Sequence, residues 1–177
     1  MDLRVQRTRK SIVNAFLQLR AKQPLEKISV KELSDLAVIN KATFYLYFKD
    51  IYELAESLEY ELIDTVLKEM PEIDLFASNP SECVFKIAEC IKAKGKLFEV
   101  LFSNGRQEIF ISQLEKKVKS VVYEKKPELR SNLKYDLRLT VLMQGVLNAL
   151  FSNDFQHRPE VVSSLGEIAD SIVINCK

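Results

Sequence analysis

Two helix-start signals, Ser29 and Asn40, constrain this chain most, because each can cap a helix and little sequence separates them. Ser29 with Glu32 makes an S-x-x-E capping box, in which the Ser29 hydroxyl accepts from the Glu32 amide and the Glu32 carboxylate reaches back to the Ser29 amide. A helix is therefore expected from Val30, with Leu33, Leu36 and Ala37 as its apolar positions. Asn40 offers a second cap before Lys41, Ala42 and Thr43, so the turn between the two helices is only a few residues long. The second helix is expected over Lys41 to Phe48. Phe44 and Phe48 are four apart and share one face, with Ile39 behind them, to pack on the first helix. Lys41, Ala42, Thr43, Tyr45 and Tyr47 then face outward, with Leu46 between them. An ordinary surface helix would carry more Glu, Lys and Arg. A lysine, a threonine and two tyrosines suit phosphates and base edges.

With 177 residues, 47% of them hydrophobic, the chain can bury the core of one large domain or two small ones. Only four glycines and five prolines punctuate it, too few for a sheet protein, so an all-α fold is expected. No apolar run of signal-peptide length follows Met1, and none approaches the roughly 20 residues of a membrane span, so a cytoplasmic protein with no membrane partner is expected. The net charge of +1 argues at first against a nucleic-acid partner. Its distribution argues the other way: residues 1–50 carry a net +5 and residues 51–177 a net −4. Nucleic-acid binding depends on local phosphate neutralisation, and the basic end is the end with the two caps. A solvated basic face would give the same count.

The segment LAVINKATFYLYFKDIYEL resembles the helix-turn-helix of the TetR family of bacterial transcription regulators, whose pattern runs roughly A-G-V-S-K-G-T-L-Y-x-H-F before a short capped helix. Ala37, Ile39, Lys41, Thr43, Tyr45 and Phe48 fall on that pattern, Asn40, Ala42 and Phe44 are mild substitutions, and the spacing continues into Asp50 and Leu54. Three positions depart from it. The usual turn glycine is Val38, the usual histidine is Tyr47, and a frequent basic residue is Ile51. Val38 implies either a turn that does without positive φ or one that tolerates strain. Tyr47 can still donate to a phosphate; Ile51 cannot, which leaves Lys49 as the nearest substitute.

The first helix is expected over about Arg4 to Lys22, with Ile12, Ala15, Phe16 and Leu19 as its packing stripe and Pro24 ending the segment. Its first turns bear Arg4, Arg7, Arg9 and Lys10, although a helix dipole prefers acids at that end, and phosphate contact explains them better. A longer helix follows from Asp50, as cap, to about Met70, with Leu54, Leu58, Leu62 and Val66 in one seam and Pro71 stopping it. The resemblance makes this helix the link between an N-terminal DNA-binding domain, residues 1–50, and a helical regulatory and dimerisation domain, residues 51–177.

Further helices are expected over Pro80 to Lys94, Lys96 to Ser103, Gln107 to Lys125, Glu128 to Phe151 and Pro159 to Cys176. Leu137 to Phe151 is apolar on most sides, with Gly145 permitting close approach of another backbone. Val161, Leu165, Ile168 and Ile172 form a seam on the last helix, which alone fits intrachain packing as well as self-association. Family members commonly dimerise through their last two helices. The resemblance therefore implies a homodimer interface at Leu142, Gly145, Val146, Ala149, Val161, Leu165, Ile168 and Ile172.

The partner it implies is a double-stranded, pseudo-palindromic DNA operator. Lys41, Ala42 and Tyr45 are expected near base edges, and Arg4, Ser29, Lys31, Asn40, Thr43, Tyr47 and Lys49 complete the DNA-binding set. It also implies a small-molecule inducer, for which Phe98, Phe102, Phe110 and Tyr123 are candidate pocket residues, although phenylalanines at helical spacing fit a core equally. No catalytic residue, metal site or cofactor emerges. Cys83 and Cys90 fit small core residues better than a redox pair, and His157 has no carboxylate cluster near it in sequence.

Overall fold

The computed structural model describes residues 3–69, 79–103, 105–152 and 158–174, the side chains of 173 and 174 excepted. Among these residues all regular structure is helical. The α-helices are α1 (Leu3–Arg20), α2 (Val30–Ala37), α3 (Lys41–Tyr45), α4 (Ile51–Glu69), α5 (Pro80–Ala93), α6 (Gly95–Phe102), α7 (Gln107–Lys125), α8 (Leu133–Ser152) and α9 (Pro159–Ile174), with 3₁₀ turns at Leu25–Lys27 and Pro127–Ser131. Met70, Pro71, His157 and Cys176, used above as boundaries or candidates, lie outside the described residues.

The chain forms two compact units, one of Met1–Leu62 with Lys96–Asn104, the other of Ile63–Gly95 with Gly105–Lys177. In the first, Ile12, Phe16, Leu33, Phe44 and Leu54 are wholly buried, so α1 to α4 share one core. Helix α6, which follows α5 almost without a break, belongs to this unit. Arg20 ties its end down: the buried guanidinium donates to the carbonyls of Gln23 and Ser103, at 3.4 and 3.2 Å. The expected seam of α4 is buried at all four positions, Leu54, Leu58, Leu62 and Val66.

In the second unit α7 packs on α8, and α9 on both α5 and α8. The helix expected from Glu128 instead begins at Leu133. Pro127–Ser131 winds as a 3₁₀ turn, and Asn132 then caps α8 by accepting from the Tyr135 amide at 3.1 Å. Helix α9 lies close against the start of α5, where a Cβ on Gly166 would stand 3.1 Å from the Ser81 Cβ, and the Asp170 carboxylate accepts from the Ser81 amide at 3.0 Å. Within the chain the close approach occurs at Gly166, whereas a Cβ at Gly145 would meet nothing of the same chain within 4 Å. Gly166→Leu should lower stability by about 1 to 3 kcal/mol through overpacking. Gly145→Ala should leave it level or raise it by up to about 1 kcal/mol, since alanine is the better helix former. Urea unfolding of the two variants tests the contrast.

Helix α2 ends at Val38, which stands at φ 56° and ψ 48°, the left-handed region, with the Ile39 amide bonded to the Ser34 carbonyl at 3.0 Å. Of the two turns open at this position the strained one occurs, and a β-branched side chain adopts the conformation that glycine takes freely. The left-handed conformation costs an L-residue about 1 to 2 kcal/mol, and glycine gives back about 0.5 to 1 kcal/mol in unfolded-state entropy. Val38 is 88% exposed and has little packing to lose. Val38→Gly should therefore stabilise the chain by about 1 kcal/mol, read as a raised thermal midpoint.

Candidate nucleic-acid interface

The short helix α3 is positioned by its two ends and by one aromatic side chain. At its start Asn40 Oδ1 accepts from the Thr43 amide at 2.7 Å and from the Thr43 hydroxyl at 2.8 Å. At its end the Leu46 and Tyr47 amides donate to the Thr43 and Phe44 carbonyls, three residues back, at 3.2 and 2.9 Å, so helix ends at Tyr45 and a tightened turn carries the chain to Phe48 rather than the single helix expected. Phe44 is wholly buried and sits with its ring centroid 6.0 Å from Phe48 and 5.6 Å from Tyr45. That anchoring leaves Lys41, Ala42, Tyr45 and Leu46 exposed, with Thr43 and Tyr47 half-buried.

Around α3 stand residues with differing freedom. Ser29 accepts from the Glu32 amide at 3.1 Å, which is half of the expected capping box; the Glu32 carboxylate accepts from Gln23 Nε2 at 3.0 Å, not from the Ser29 amide. Leu36 is 44% exposed and lies at the edge of the core, whereas Leu33 and Ala37 are buried. Lys31 and Arg4 are exposed. Arg9 makes an ion pair with Glu61 on α4, so its charge is partly neutralised where it stands. The Tyr47 hydroxyl donates to the Val5 carbonyl at 3.3 Å, which uses its single proton and ties the end of α3 to α1. Asp50 caps α4 by accepting from the Glu53 amide at 2.8 Å, and the Lys49 ammonium stands 3.9 Å from Asp50, largely in water. Ile51, where the family pattern often has a basic residue, is buried in the core.

Phe98, Phe102 and Phe110 are buried, the first two in the first unit and the last in the second, where the Phe110 and Phe151 rings meet edge to face at 5.9 Å. Tyr123 donates to Asp136 at 2.5 Å and belongs to a polar network between α7 and α8. There Lys119 reaches Asp136 at 2.8 Å, Glu115 at 3.1 Å and the Thr140 hydroxyl at 2.6 Å, while Gln144 donates to Glu115 at 2.7 Å. Burial and the Asp136 bond push the Tyr123 phenol up, and the Lys119 ammonium beside Asp136 holds that carboxyl below its ordinary range. Burial works against the Glu115 charge, yet its bonds from Gln144, Lys119 and Thr140 keep its pKa lowered. The network is a set of mutually satisfied charges.

A groove of about 790 Å³ runs between α5 and α9, lined among others by Glu82, Phe85, Lys92, Val162 and Glu167. None of the four aromatic pocket candidates lines it. Burial pushes the Cys83 thiol up to about 12, with Glu82 adding to it. Burial, with the Glu69 carboxylate 3.0 Å away, pushes Cys90 up to about 11. Neither thiol has the thiolate character that redox chemistry needs.

On α8, Leu142 and Val146 are buried within the chain's own unit, as is Leu165 on α9. Gly145 is exposed, Ala149, Val161 and Ile172 are half-buried, and Ile168 is 51% exposed. Leu133, Leu137 and Val141 are also exposed, at 71%, 54% and 60%. Leu137, Val141 and Gly145 follow at intervals of four, a spacing legible in sequence that periodicity could have singled out.

No family model matches this chain, and no curated protein does. Among solved structures, the dihydroxyacetone kinase operon activator DhaS superposes with a TM-score of 0.59 at 15% identity, over 94% of this chain and 96% of that one. A structure described as a TetR family transcription regulator, from Shewanella sp. PV-4, gives 0.62 at 12% identity, over 92% and 95%. The chain has the fold of a TetR-type regulator. In the TetR fold as this chain builds it, the positions that match the family's motif divide by burial. Ala37 and Phe48 are buried, and Lys41 and Tyr45 are presented outward. No described helix is long and apolar enough to cross a membrane.

Proposed function

We propose that the chain is a sequence-specific DNA-binding transcriptional regulator, a homodimeric repressor that a small-molecule inducer releases from a pseudo-palindromic operator. The observation that supports it most is α3 itself. A helix of five residues, capped by Asn40 and anchored by Phe44, turns Lys41, Ala42 and Tyr45 outward at the basic end of a chain with the TetR fold. Lys41 suits guanine O6 or N7, Ala42 a thymine methyl, and Tyr45 a base edge. Ser29, Lys31, Thr43, Lys49 and Arg4 serve as phosphate contacts that set the register, with Asn40 holding the cap. Tyr47 acts chiefly as a brace, since its proton is given to Val5 and its oxygen can only accept. Two such helices on a dimer axis would read half-sites spaced by about 34 Å or a multiple of it.

A gel shift with the DNA upstream of the chain's own gene tests the proposal, specific retardation being expected and its absence ruling the reading out. Two variants divide the roles. Tyr45→Ala should cost about 1 to 3 kcal/mol on the operator and flatten sequence preference. Lys49→Ala should weaken binding to all sequences alike and reduce the salt slope by about one. Equal losses on operator and random DNA for both variants would contradict this division.

A second reading has support of its own. Phe98, Phe102 and Phe110 fill cores instead of lining the α5–α9 groove, and DhaS is by its name an operon activator. A DNA-binding co-regulator controlled by a protein partner fits both facts. Repeating the gel shift over candidate metabolites separates the two: release by a metabolite selects the inducer-responsive repressor.

A further inference from the structure

We infer that the groove between the carboxyl half of α1 and the amino half of α6 is a binding site for an anionic amphiphile, a medium-chain carboxylate or a molecule of that shape and charge. The groove lies within the first unit and measures about 490 Å³, within the range of small-molecule sites. Leu17, Gln18, Ala21 and Lys22 line it from the end of α1 and the turn after it, and Lys96, Leu97 and Val100 line it from α6. No acidic residue lines it. Neither ammonium makes an ion pair among the described residues, although elsewhere in the chain Lys94, Lys117 and Lys119 each hold a carboxylate. Two like charges, one in the turn that follows α1 and one on α6, beside an apolar lining, attract a ligand with the opposite polarity at its head and a hydrocarbon tail. The positive end of the α6 dipole, at Gly95 and Lys96, acts in the same direction. The carboxylate would take a charge-assisted hydrogen bond from each lysine, and the tail would leave water against Leu17, Ala21, Leu97 and Val100. Leu97, 36% exposed, is the wall residue such a tail would cover.

The site does not depend on DNA binding, and its test does not use DNA. The full chain is titrated calorimetrically with decanoate below its micelle concentration, and with decanol and decyltrimethylammonium as head-group controls. Saturable binding of decanoate is expected, about tenfold tighter than either control, a difference on the scale of one hydrogen bond to a charged group. Ala21→Phe, which fills the groove from an exposed position, should abolish it. Lys22→Gln with Lys96→Gln, both at exposed positions where the fold is indifferent, should weaken decanoate by about tenfold or more and leave decanol unchanged. No saturable binding of decanoate, equal binding of the cationic analogue or the alcohol, or undiminished binding in both variants would each overturn the inference.

Discussion

Ile168→Glu should leave the chain monomeric and strip it of its hold on a two-half-site operator, and Gly145→Arg should do the same. Ile168 is half in water in the single chain, and the space around Gly145 is empty to 4 Å. Neither substitution therefore disturbs the chain's own core. Leu137 and Val141 continue the same exposed face along α8, a concentration of apolar surface that an isolated domain seldom leaves uncovered. Leu142, Val146 and Leu165, although on the same two helices, face inward and hold the unit together. A charge pressed into a dimer seam without a partner costs several kcal/mol, enough to shift a dimer of micromolar strength wholly to monomers at working concentrations. A monomer meets one half-site only and loses the benefit of linked binding, a factor of about 10² to 10⁴. Sedimentation velocity with the gel shift checks both halves of this, and a dimer persisting in both variants would remove these residues from the interface.

Phe44→Ala should cost about 3 to 5 kcal/mol, a large share of the roughly 5 to 15 kcal/mol that holds a domain of ordinary stability. Phe44 is wholly buried, and α3 has only five residues, too few to be helical without support. Loss of the ring removes the seat of α3 and the contacts with Phe48 and Tyr45 together. Binding to operator and to random DNA should fall alike, and amide exchange should quicken across Lys41–Phe48 before it does across α7 to α9. Leu46→Ala, two residues away at 83% exposure, should stay within about 0.5 kcal/mol of the parent chain. Equal stability of the two variants would mean that Phe44 does not seat α3.

Much of the candidate interface is legible in the sequence because its determinants are local. A cap acts over three residues and a helical stripe over four, so Ser29, Asn40 and Asp50 could be read as starts, and Phe44, Phe48 and the Leu54–Val66 seam as buried faces. The start of α8 differs from expectation for a local reason too: Pro127 is a helix-start signal as Asn132 is, but Pro127 starts the 3₁₀ turn and the Asn132 side chain caps α8. The capping-box motif names only its own residues and so points the Glu32 carboxylate at the Ser29 amide; Gln23, from outside it, is the partner.

By itself, the sequence determined the helical class, the caps, the pairing of two short helices and the basic bias of the first fifty residues, since each depends on neighbours along the chain. Only the tertiary structure decided that Val38 takes the left-handed conformation and that α6 packs with the first unit. It also decided that Arg9 and Tyr47 are committed to Glu61 and Val5, that within the chain Gly166 makes the close contact, and which face of α8 stays exposed. These outcomes depend on groups far apart in the chain, whose meeting is set by how the helices fill shared space. A periodic apolar pattern says that a face will be covered; it does not say by what.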